Sequence, residues 1–317
     1  MLRAPASLRG VDPARYVVYL GFLLVLGGFA VALRNDGFLS AANLLNIVQG
    51  ATPVTVMSVG TVFVLTAGEI DLSIGSVVAV AALVGAIVLR GAPWWAGAAA
   101  ALLAGGGIGL VNGALVAYLR LPSFLVTLAT MGLLAGVARW LTDLRSVPIT
   151  DDIFNGLFGS GALFGVPSLV LWTIATVVAG HFALRETKFG AHVLALGDSA
   201  AAARAAGIRV RRLRMQVLAL SGATAALAGV LYAGRLNGAR YSLGETDLLT
   251  VIAAVIVGGT RLSGGTGSVP GALVGALLME MLNNGLILMG LAVSEQMMVR
   301  GVIILVAVAL TLRERRV

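Results

Sequence analysis

Residues 44–67 read LLNIVQGATPVTVMSVGTVFVLTA, a run of 24 residues without one charged side chain. A helix that crosses the hydrocarbon core of a membrane needs about 20 predominantly apolar residues, so this run is long enough to span. Runs of similar character recur along the chain, near 16–33, 72–90, 94–118, 121–142, 164–184, 215–235, 268–290 and 295–312. A tenth apolar run, near 247–258, is too short to span as one regular helix.

The composition agrees with a membrane environment. Of 317 residues, 59% are hydrophobic and only 11% are charged, and the mean hydropathy is +0.99. A soluble domain carries about a quarter charged residues, so this chain lacks the polar surface that water requires. Unbroken apolar runs exclude the alternating pattern of a membrane β-barrel. The sequence therefore predicts an all-α, polytopic membrane helix bundle of about ten transmembrane segments, forming one transmembrane domain over residues 1–317 with no separate soluble domain.

The basic residues predict how this bundle is oriented. The chain has 22 Lys and Arg against 14 Asp and Glu, and the basic residues lie between the apolar runs. The longest basic connection, 185–214, carries six arginines and one lysine. Basic connections of this kind stay in the cytoplasm, so 185–214 and, by the count of segments, both termini are predicted to be cytoplasmic. A basic chain could also bind nucleic acid, but this placement of charge argues against that partner.

The first polar motif interrupts the apolar background between the second and third runs. Residues 66–76 read TAGEIDLSIGS and place two carboxylates between membrane helices. Asp71 or Ser73 could cap the following helix, since Asp and Ser are favoured at helix N-caps. Alternatively, a helix break near 68–72 lines a solute route or forms a gate, and Glu69 is then the better functional candidate because a cap needs only one acid.

The second motif lies in the 185–214 connection. Asp198-Ser199 is an N-cap signal, residues 200–203 are four alanines, and Gly207 is a helix stop signal. These features predict a helix of about two turns with a face of methyl groups, which a partner could approach closely. An ordinary basic loop that only sets topology is the competing interpretation, and it is the better one for the arginines at 209–214.

The third motif is a glycine-rich stretch, residues 252–268, which read IAAVIVGGTRLSGGTGS. Glycines at this density predict a broken or partly re-entrant segment near 247–267. A phosphate-binding P-loop is excluded, because Lys188 is the only lysine of the chain and Phe189 follows it. Gly267-Ser268-Val269 also repeats Gly75-Ser76-Val77, a hint of an internal repeat that chance could equally produce.

Scattered polar residues within the runs have two open interpretations. They could hydrogen-bond the hydroxyl groups of a passing solute, or they could join neighbouring helices. These residues are Asn46, Gln49, Thr52, Asn112, Ser123, Thr127, Thr130, Asn283 and Asn284. Glu280 lies in the middle of an apolar run, where an unpaired carboxylate is expensive, and Arg300 is its expected ion-pair partner. Only two histidines and no cysteine are present, so no metal site or intramembrane enzyme is expected.

Across nearly its whole length, the chain resembles the permease subunits of bacterial ABC importers of the ribose, xylose, arabinose and galactose type. The resemblance rests on strings that occur in a fixed order, namely 66–76, 121–128 (LPSFLVTL), 187–190 with 195–198 and 202–208 (TKFG, ALGD, AARAAGI), 252–267, and 283–286 (NNGL).

The resemblance implies a role and a set of partners. The chain would be the permease of an ATP-driven importer of a monosaccharide or similar small polar solute in the bacterial inner membrane. It would pair with a second permease subunit, identical or not, and with ABC ATPase subunits that hold the ATP and Mg²⁺, while a periplasmic or lipoprotein solute-binding protein delivers the solute. No cofactor is expected on this chain itself. An ion-coupled secondary transporter is the alternative, with Glu69, Asp71 or Glu280 as its coupling site.

Two sets of site residues follow from these motifs. The ATPase-coupling residues within 185–214 are Gly197, Asp198, Ala202, Ala203, Arg204 and Gly207. The candidates for the substrate pathway or gate are Glu69, Asp71, Ser73, Asn46, Gln49, Asn112, Ser123, Thr127, Asn283 and Asn284.

Overall fold

The first half of the chain consists of long helices joined by short connections. The computed structural model describes residues 14–299 and 301–302. Five helices follow one another: α1 Ala14–Ala32, α2 Ala41–Thr66, α3 Ile74–Val88, α4 Trp94–Tyr118 and α5 Ser123–Thr142. The break between α2 and α3 falls on the TAGEIDLSIGS motif, where the chain runs without helix from the end of α2 to Ile74.

A short segment of strands and turns separates the two halves of the chain. It contains β1 Val147–Pro148, α6 Asp152–Asn155, a π-helical turn Gly156–Ser160, and a hairpin of β2 Ala162–Leu163 with β3 Val166–Pro167. β1 pairs antiparallel with β4 Gly238–Ala239, which comes some 90 residues later. Within the described residues, these two-residue strands form the only β-sheet pairs.

The second half contains α7 Ser168–Arg185, α8 Lys188–Asp198, α9 Ala200–Ala205, α10 Val210–Arg235, α11 Asp247–Val257 and α12 Val269–Leu288. The 185–214 connection thus holds two short helices, of which the sequence predicted only α9. That helix has six residues, slightly fewer than predicted, and Ser199 caps it by accepting from the Ala202 N–H.

The helical bundle agrees with the predicted class, whereas the number of spans stays a prediction. Among the described residues, six helices are long and apolar enough to cross a membrane: α2, α4, α5, α7, α10 and α12. α3, α11 and residues 18–32 of α1 are apolar but shorter. Residues 293–299 and 301–302 are helical, and the remainder of the ninth predicted run lies outside the described residues.

α2 and α10 form the centre of the bundle. α2 is buried almost without interruption from Gly50 to its end, although Pro53 removes one backbone N–H donor from its ladder. α10 packs on α4 at very short range because α4 presents glycines there. A Cβ added to Gly105 or Gly109 would collide with the backbone of Gly222 or Leu218 on α10. In contrast, only 33%, 22% and 28% of the apolar windows of α4, α5 and α7 are buried, as expected of helices at a lipid boundary.

Two ends of the bundle can be distinguished. At the end that we call the α8 end, Gly197 of α8 packs against the carbonyl of Thr66, and Gly265 donates its N–H to the same carbonyl at 3.0 Å. α10 begins at this end and runs to the other, where β4 pairs with β1. The latter end, which also carries the β2–β3 hairpin, is called the β1 end.

Candidate functional site

The connection between α2 and α3 is held by a buried carboxylate. Asp71 Oδ1 accepts hydrogen bonds from the backbone N–H of Ser73 at 2.9 Å and from its hydroxyl at 2.6 Å, and Oδ2 accepts from the Ser221 hydroxyl of α10 at 2.8 Å. The Ser73 hydroxyl in turn accepts from the Asn112 amide of α4 at 3.2 Å, and Asn112 Oδ1 accepts from Thr130 of α5 at 2.6 Å. One polar network therefore links the connection to three helices.

This arrangement corrects the predicted capping role. Ser73 occupies the N-cap position of α3, but its side chain makes no cap hydrogen bond, and Asp71 bonds to Ser73 rather than to an N–H inside α3. The reason is competition, because Ser221 and Asn112 engage the two side chains from neighbouring helices. Burial raises the pKa of the Asp71 carboxyl above its usual value, and the hydrogen bonds from Ser73 and Ser221 act in the opposite direction.

α5 fixes the backbone of the same connection. The N–H of Ile70 donates to the Ser123 hydroxyl at 3.0 Å, and the N–H of Leu72 donates to the Thr127 hydroxyl at 3.0 Å. Thr127 also donates to backbone carbonyls, including that of Ile70. Because Ser123 and Thr127 are one helical turn apart, both reach the extended segment, and they satisfy the N–H groups of Ile70 and Leu72 without secondary structure.

Glu69 forms the second charged contact of this connection. Its Oε1 lies 2.6 Å from Nε of Arg214 in the first turns of α10, and the Glu69 side chain is 7% exposed against 32% for Arg214. The Arg214 Nε–H is not aligned on the oxygen, so the contact is an ion pair rather than a directed hydrogen bond. We call Glu69, Asp71, Ser73, Asn112, Ser123 and Thr127 the 69–73 cluster; sequence analysis nominated all six, and the structure brings them together.

The remaining nominated polar residues form a separate group toward the start of α2. Asn284 of α12 exchanges two amide hydrogen bonds with Asn43, at 2.9 and 3.0 Å. Asn46 accepts from Arg235 at the end of α10 at 3.0 Å. Gln49 lies one turn after Asn46 and is partly buried, and Asn283 neighbours Asn284 on α12. These contacts join helices, so this group is distinct from the 69–73 cluster.

Glu280 lies on α12 against Gly50 of α2, where a Cβ would collide with its carboxylate. The expected partner, Arg300, lies outside the described residues. Nearby, the Tyr232 hydroxyl of α10 donates to Asp247 of α11 at 2.6 Å.

Sequence reasoning missed several of these partners. Ser221, Asn43, Tyr232, Asp247 and Arg235 were not nominated, and Arg214 was assigned only a topological role. Asp247, at the edge of an apolar run, carried a signal that could have been used, since intramembrane acids mark partners. Ser221 had none, because one serine among the small residues of α10 is unremarkable.

The predicted coupling residues lie at the α8 end but do not share one surface. Gly197 touches Thr66, whereas Asp198, Ala202, Arg204 and Gly207 are exposed, and Gly207 adopts φ +82° at the predicted helix stop. Ala203 is 3% exposed and packs into this chain's own core. α9 turns the Ala203 methyl group inward, and the part of Ala203 in ATPase coupling stays a prediction.

The described residues contain no group of three or more His, Asp or Glu side chains that could hold a metal ion. The 69–73 cluster instead consists of hydrogen bonds that join the α2–α3 connection to α4, α5 and α10, and of one ion pair to Arg214.

Comparison with known proteins gives consistent matches. Residues 43–308 match the family model described as the permease component of the branched-chain amino acid transport system. The ribose import permease protein RbsC of Escherichia coli K12 is 40% identical over 284 residues, covering 88% of each chain. RbsC of Bacillus subtilis is 35% identical over 297 residues, covering 92% of this chain and 91% of that protein. The L-arabinose ABC transporter permease AraH of Azospirillum brasilense is 36% identical over 316 residues, covering 96% and 90%.

Among solved structures, a chain of a metal-chelate type ABC transporter in an inward-facing conformation is similar. The TM-score is 0.50 at 17% identity, with 86% of this chain and 89% of that chain covered. At this identity the similarity concerns the fold alone.

Proposed function

Because the chain belongs to the family of branched-chain amino acid transport permease components, we propose that it is the permease subunit of an ATP-driven importer of a monosaccharide. The observation that carries the sugar assignment is the 35–40% identity to ribose and arabinose permeases over nearly the full length of both proteins. The family description names amino acids, but the three relatives compared above are named for ribose and L-arabinose. The chain is a multi-pass membrane protein and a transporter subunit rather than an enzyme.

The partners follow from this role. ATPase subunits supply ATP and Mg²⁺ chemistry, and a solute-binding protein delivers the sugar. A second permease subunit completes the pathway, and both termini lie in the cytoplasm, as the basic connections favour. In this orientation the α8 end faces the cytoplasm, where an ATPase subunit would contact the exposed residues Ala202 and Gly207.

The packing supplies a route from such a contact to the bundle. α8 and α9 are connected through Ser199, and Gly197 has no side chain between its backbone and Thr66. A displacement of α8 therefore acts directly on the end of α2 and on the backbone at Gly265. From there it passes into the 69–73 cluster, whose hydrogen bonds lead to α4, α5 and α10. We assign this cluster the role of a gate rather than a sugar-binding site, because most of its polar atoms are already paired.

The group around Asn46 and Asn284 lies on the other side of the bundle's midpoint. Gln49 and Asn283 add amides there, and amides can donate to and accept from sugar hydroxyls. We propose this group as the part of the pathway that contacts solute, with the present amide–amide bonds exchanged for bonds to sugar.

Reconstitution tests the function. The permease, its ATPase subunits and its binding protein are placed in proteoliposomes, and uptake of labelled ribose, arabinose and leucine is measured with ATP at the ATPase side. ATP-dependent uptake of a pentose is expected, with leucine excluded and with no uptake when the P-loop lysine of the ATPase is replaced. Uptake driven by an ion gradient, without the ATPase, would establish the secondary-transporter alternative instead.

A further inference from the structure

A groove rich in arginine opens at the α8 end beside the 69–73 cluster. Its cavity is about 750 Å³, and six of its ten lining residues are arginines. The six, which we call the arginine groove, are Arg120, Arg204, Arg209, Arg211, Arg212 and Arg214. They come from three places in the chain, namely the α4–α5 turn, α9 and the start of α10, so the fold rather than the local sequence assembles them.

The groove has an excess of positive charge. No Asp or Glu is among its lining residues, and of the six groove arginines only Arg214 has an ion-pair partner within the described part of the chain, namely Glu69. Like charges gathered on one surface repel, and a bound anion would relieve that repulsion. Guanidinium groups also match the oxygens of a phosphate in a bidentate geometry.

The start of α10 adds to the same field. Arg209 occupies its N-cap position without a side-chain cap hydrogen bond, in a helix of 26 residues. The first N–H groups of a helix lack intrahelical acceptors and carry the positive end of the helix dipole. Arg211 and Arg212 stand on this first turn, so backbone and side chains favour an anion at one place.

The surroundings indicate which anion fits. The groove ends on Ala117 and Tyr118 at the last turn of α4, a span that is only a third buried. Beside it, Leu119, Leu121 and Phe124 are 63%, 44% and 45% exposed. A soluble anion gains nothing from exposed leucine and phenylalanine, whereas a phospholipid places acyl chains on them and its phosphate among the arginines. Tyrosine at such a boundary is typical of a membrane interface.

We propose that the arginine groove binds the headgroup of an anionic phospholipid of the leaflet at the α8 end. Basic pockets at helix ends are known to hold anionic headgroups. The site requires only that the chain spans a membrane, so it does not depend on the identity of the transported solute. Because Arg214 belongs both to the groove and to the ion pair with Glu69, the lipid would sit within reach of the gate.

Lipid retention by the purified full-length permease tests this site. The protein is titrated in detergent with phosphatidylglycerol or phosphatidylethanolamine, and bound lipid is counted by native mass spectrometry. Phosphatidylglycerol should be retained in preference to phosphatidylethanolamine. Arg211→Gln with Arg212→Gln should weaken this retention on the order of thirtyfold, since each cation near an anionic headgroup contributes about fivefold in affinity. Lys188→Gln with Arg261→Gln removes two exposed cations of the same end outside the groove and should change nothing.

Each other outcome overturns the proposal. Equal loss in both double variants would mean a diffuse surface charge, and unchanged retention in both would mean lipid binding elsewhere. If millimolar inorganic phosphate displaces phosphatidylglycerol completely, a soluble anion is the ligand. If retention is unaffected but the ATPase no longer assembles with the Arg211 and Arg212 variant, the groove is a protein-docking surface. Should that variant fail to purify, Arg120→Gln and Arg209→Gln are measured singly, each with an expected fivefold loss.

Discussion

At the scale of single residues, the 69–73 cluster is held by hydrogen bonds and an ion pair between side chains that lie far apart in the sequence. The TAGEIDLSIGS motif identified Glu69, Asp71 and Ser73 as unusual, because acids between apolar runs are rare. The sequence could not identify Ser221 or Arg214 as their partners, since 150 and 145 residues separate them and many pairings are compatible with the same pattern. For this reason the capping interpretation was reasonable but wrong, and only the positions of α4 and α10 exclude it.

The Glu69–Arg214 ion pair should stabilise the junction between the α2–α3 connection and α10. Glu69→Gln leaves a partly buried guanidinium without its counter-charge, and we expect a loss of about 2 kcal/mol, below the usual cost for a fully buried pair because Arg214 is a third exposed. Thermal unfolding of the purified permease measures this loss of stability as a lower midpoint temperature.

A double-mutant cycle separates the pair from general damage. Glu69→Gln combined with Arg214→Gln should cost less than the sum of the two single variants, because the second change removes the unpaired charge. Strict additivity would show that the two side chains do not interact. Glu245→Gln, which removes the exposed partner of Arg139 at the other end, is the matched control and should shift the midpoint little.

At the scale of elements, apolar runs predicted most helices to within a few residues, because length and hydrophobicity decide spans locally. The apolar runs did not predict α8, because its apolar residues are mixed with polar ones. The charge of this connection predicted its side of the membrane but not this helix. The apolar runs also could not tell which glycines of α4 matter. The sequence alone does not distinguish the glycines that contact α10 from those that do not. Only the position of α10 separates these four residues, which are Gly105, Gly106, Gly107 and Gly109.

Alanine substitutions at different glycines of α4 should therefore change the stability of the protein in opposite directions. A Cβ on Gly109 collides with the backbone of Leu218, so Gly109→Ala should separate α4 from α10 and destabilise the protein by roughly 2 kcal/mol or more. A Cβ on Gly106 meets no atom within 4 Å, so Gly106→Ala should stabilise it by about 0.5–1 kcal/mol through helix propensity. Thermal midpoints of the two variants in the same detergent make the comparison, and equal destabilisation would contradict the α4–α10 packing.

The faces of α9 make a second prediction at this scale. Ala202 is exposed and Ala203 is buried, so substitutions at these two positions distinguish an effect on ATPase docking from an effect on folding. Ala202→Trp should keep the thermal midpoint but abolish solute-stimulated ATPase activity of the assembled transporter, because the indole ring occupies the docking surface. Ala203→Trp should lower the midpoint itself. If Ala202→Trp retains full stimulation, α9 is not where the ATPase docks.

At the scale of the whole molecule, composition predicts a helical membrane bundle and charge predicts its orientation, but neither predicts how helices are arranged around α2 and α10. That arrangement depends on glycine contacts and polar pairs between distant segments. The orientation is open to a direct measurement because the chain contains no cysteine, so any single introduced cysteine is a unique label.

Single cysteines at the two ends of the bundle should report opposite sides of the membrane. Phe164 at the tip of the β2–β3 hairpin is 96% exposed, and Ala201 on α9 is exposed at the α8 end. With the basic 185–214 connection in the cytoplasm, a membrane-impermeant maleimide should label Phe164→Cys from the periplasmic side, whereas Ala201→Cys should react only in inverted vesicles. Labelling after solubilisation provides the control for reactivity, since both positions should then react. Labelling of Ala201→Cys from the periplasmic side would invert the orientation and place the proposed ATPase-docking surface on the side of the membrane that lacks ATP.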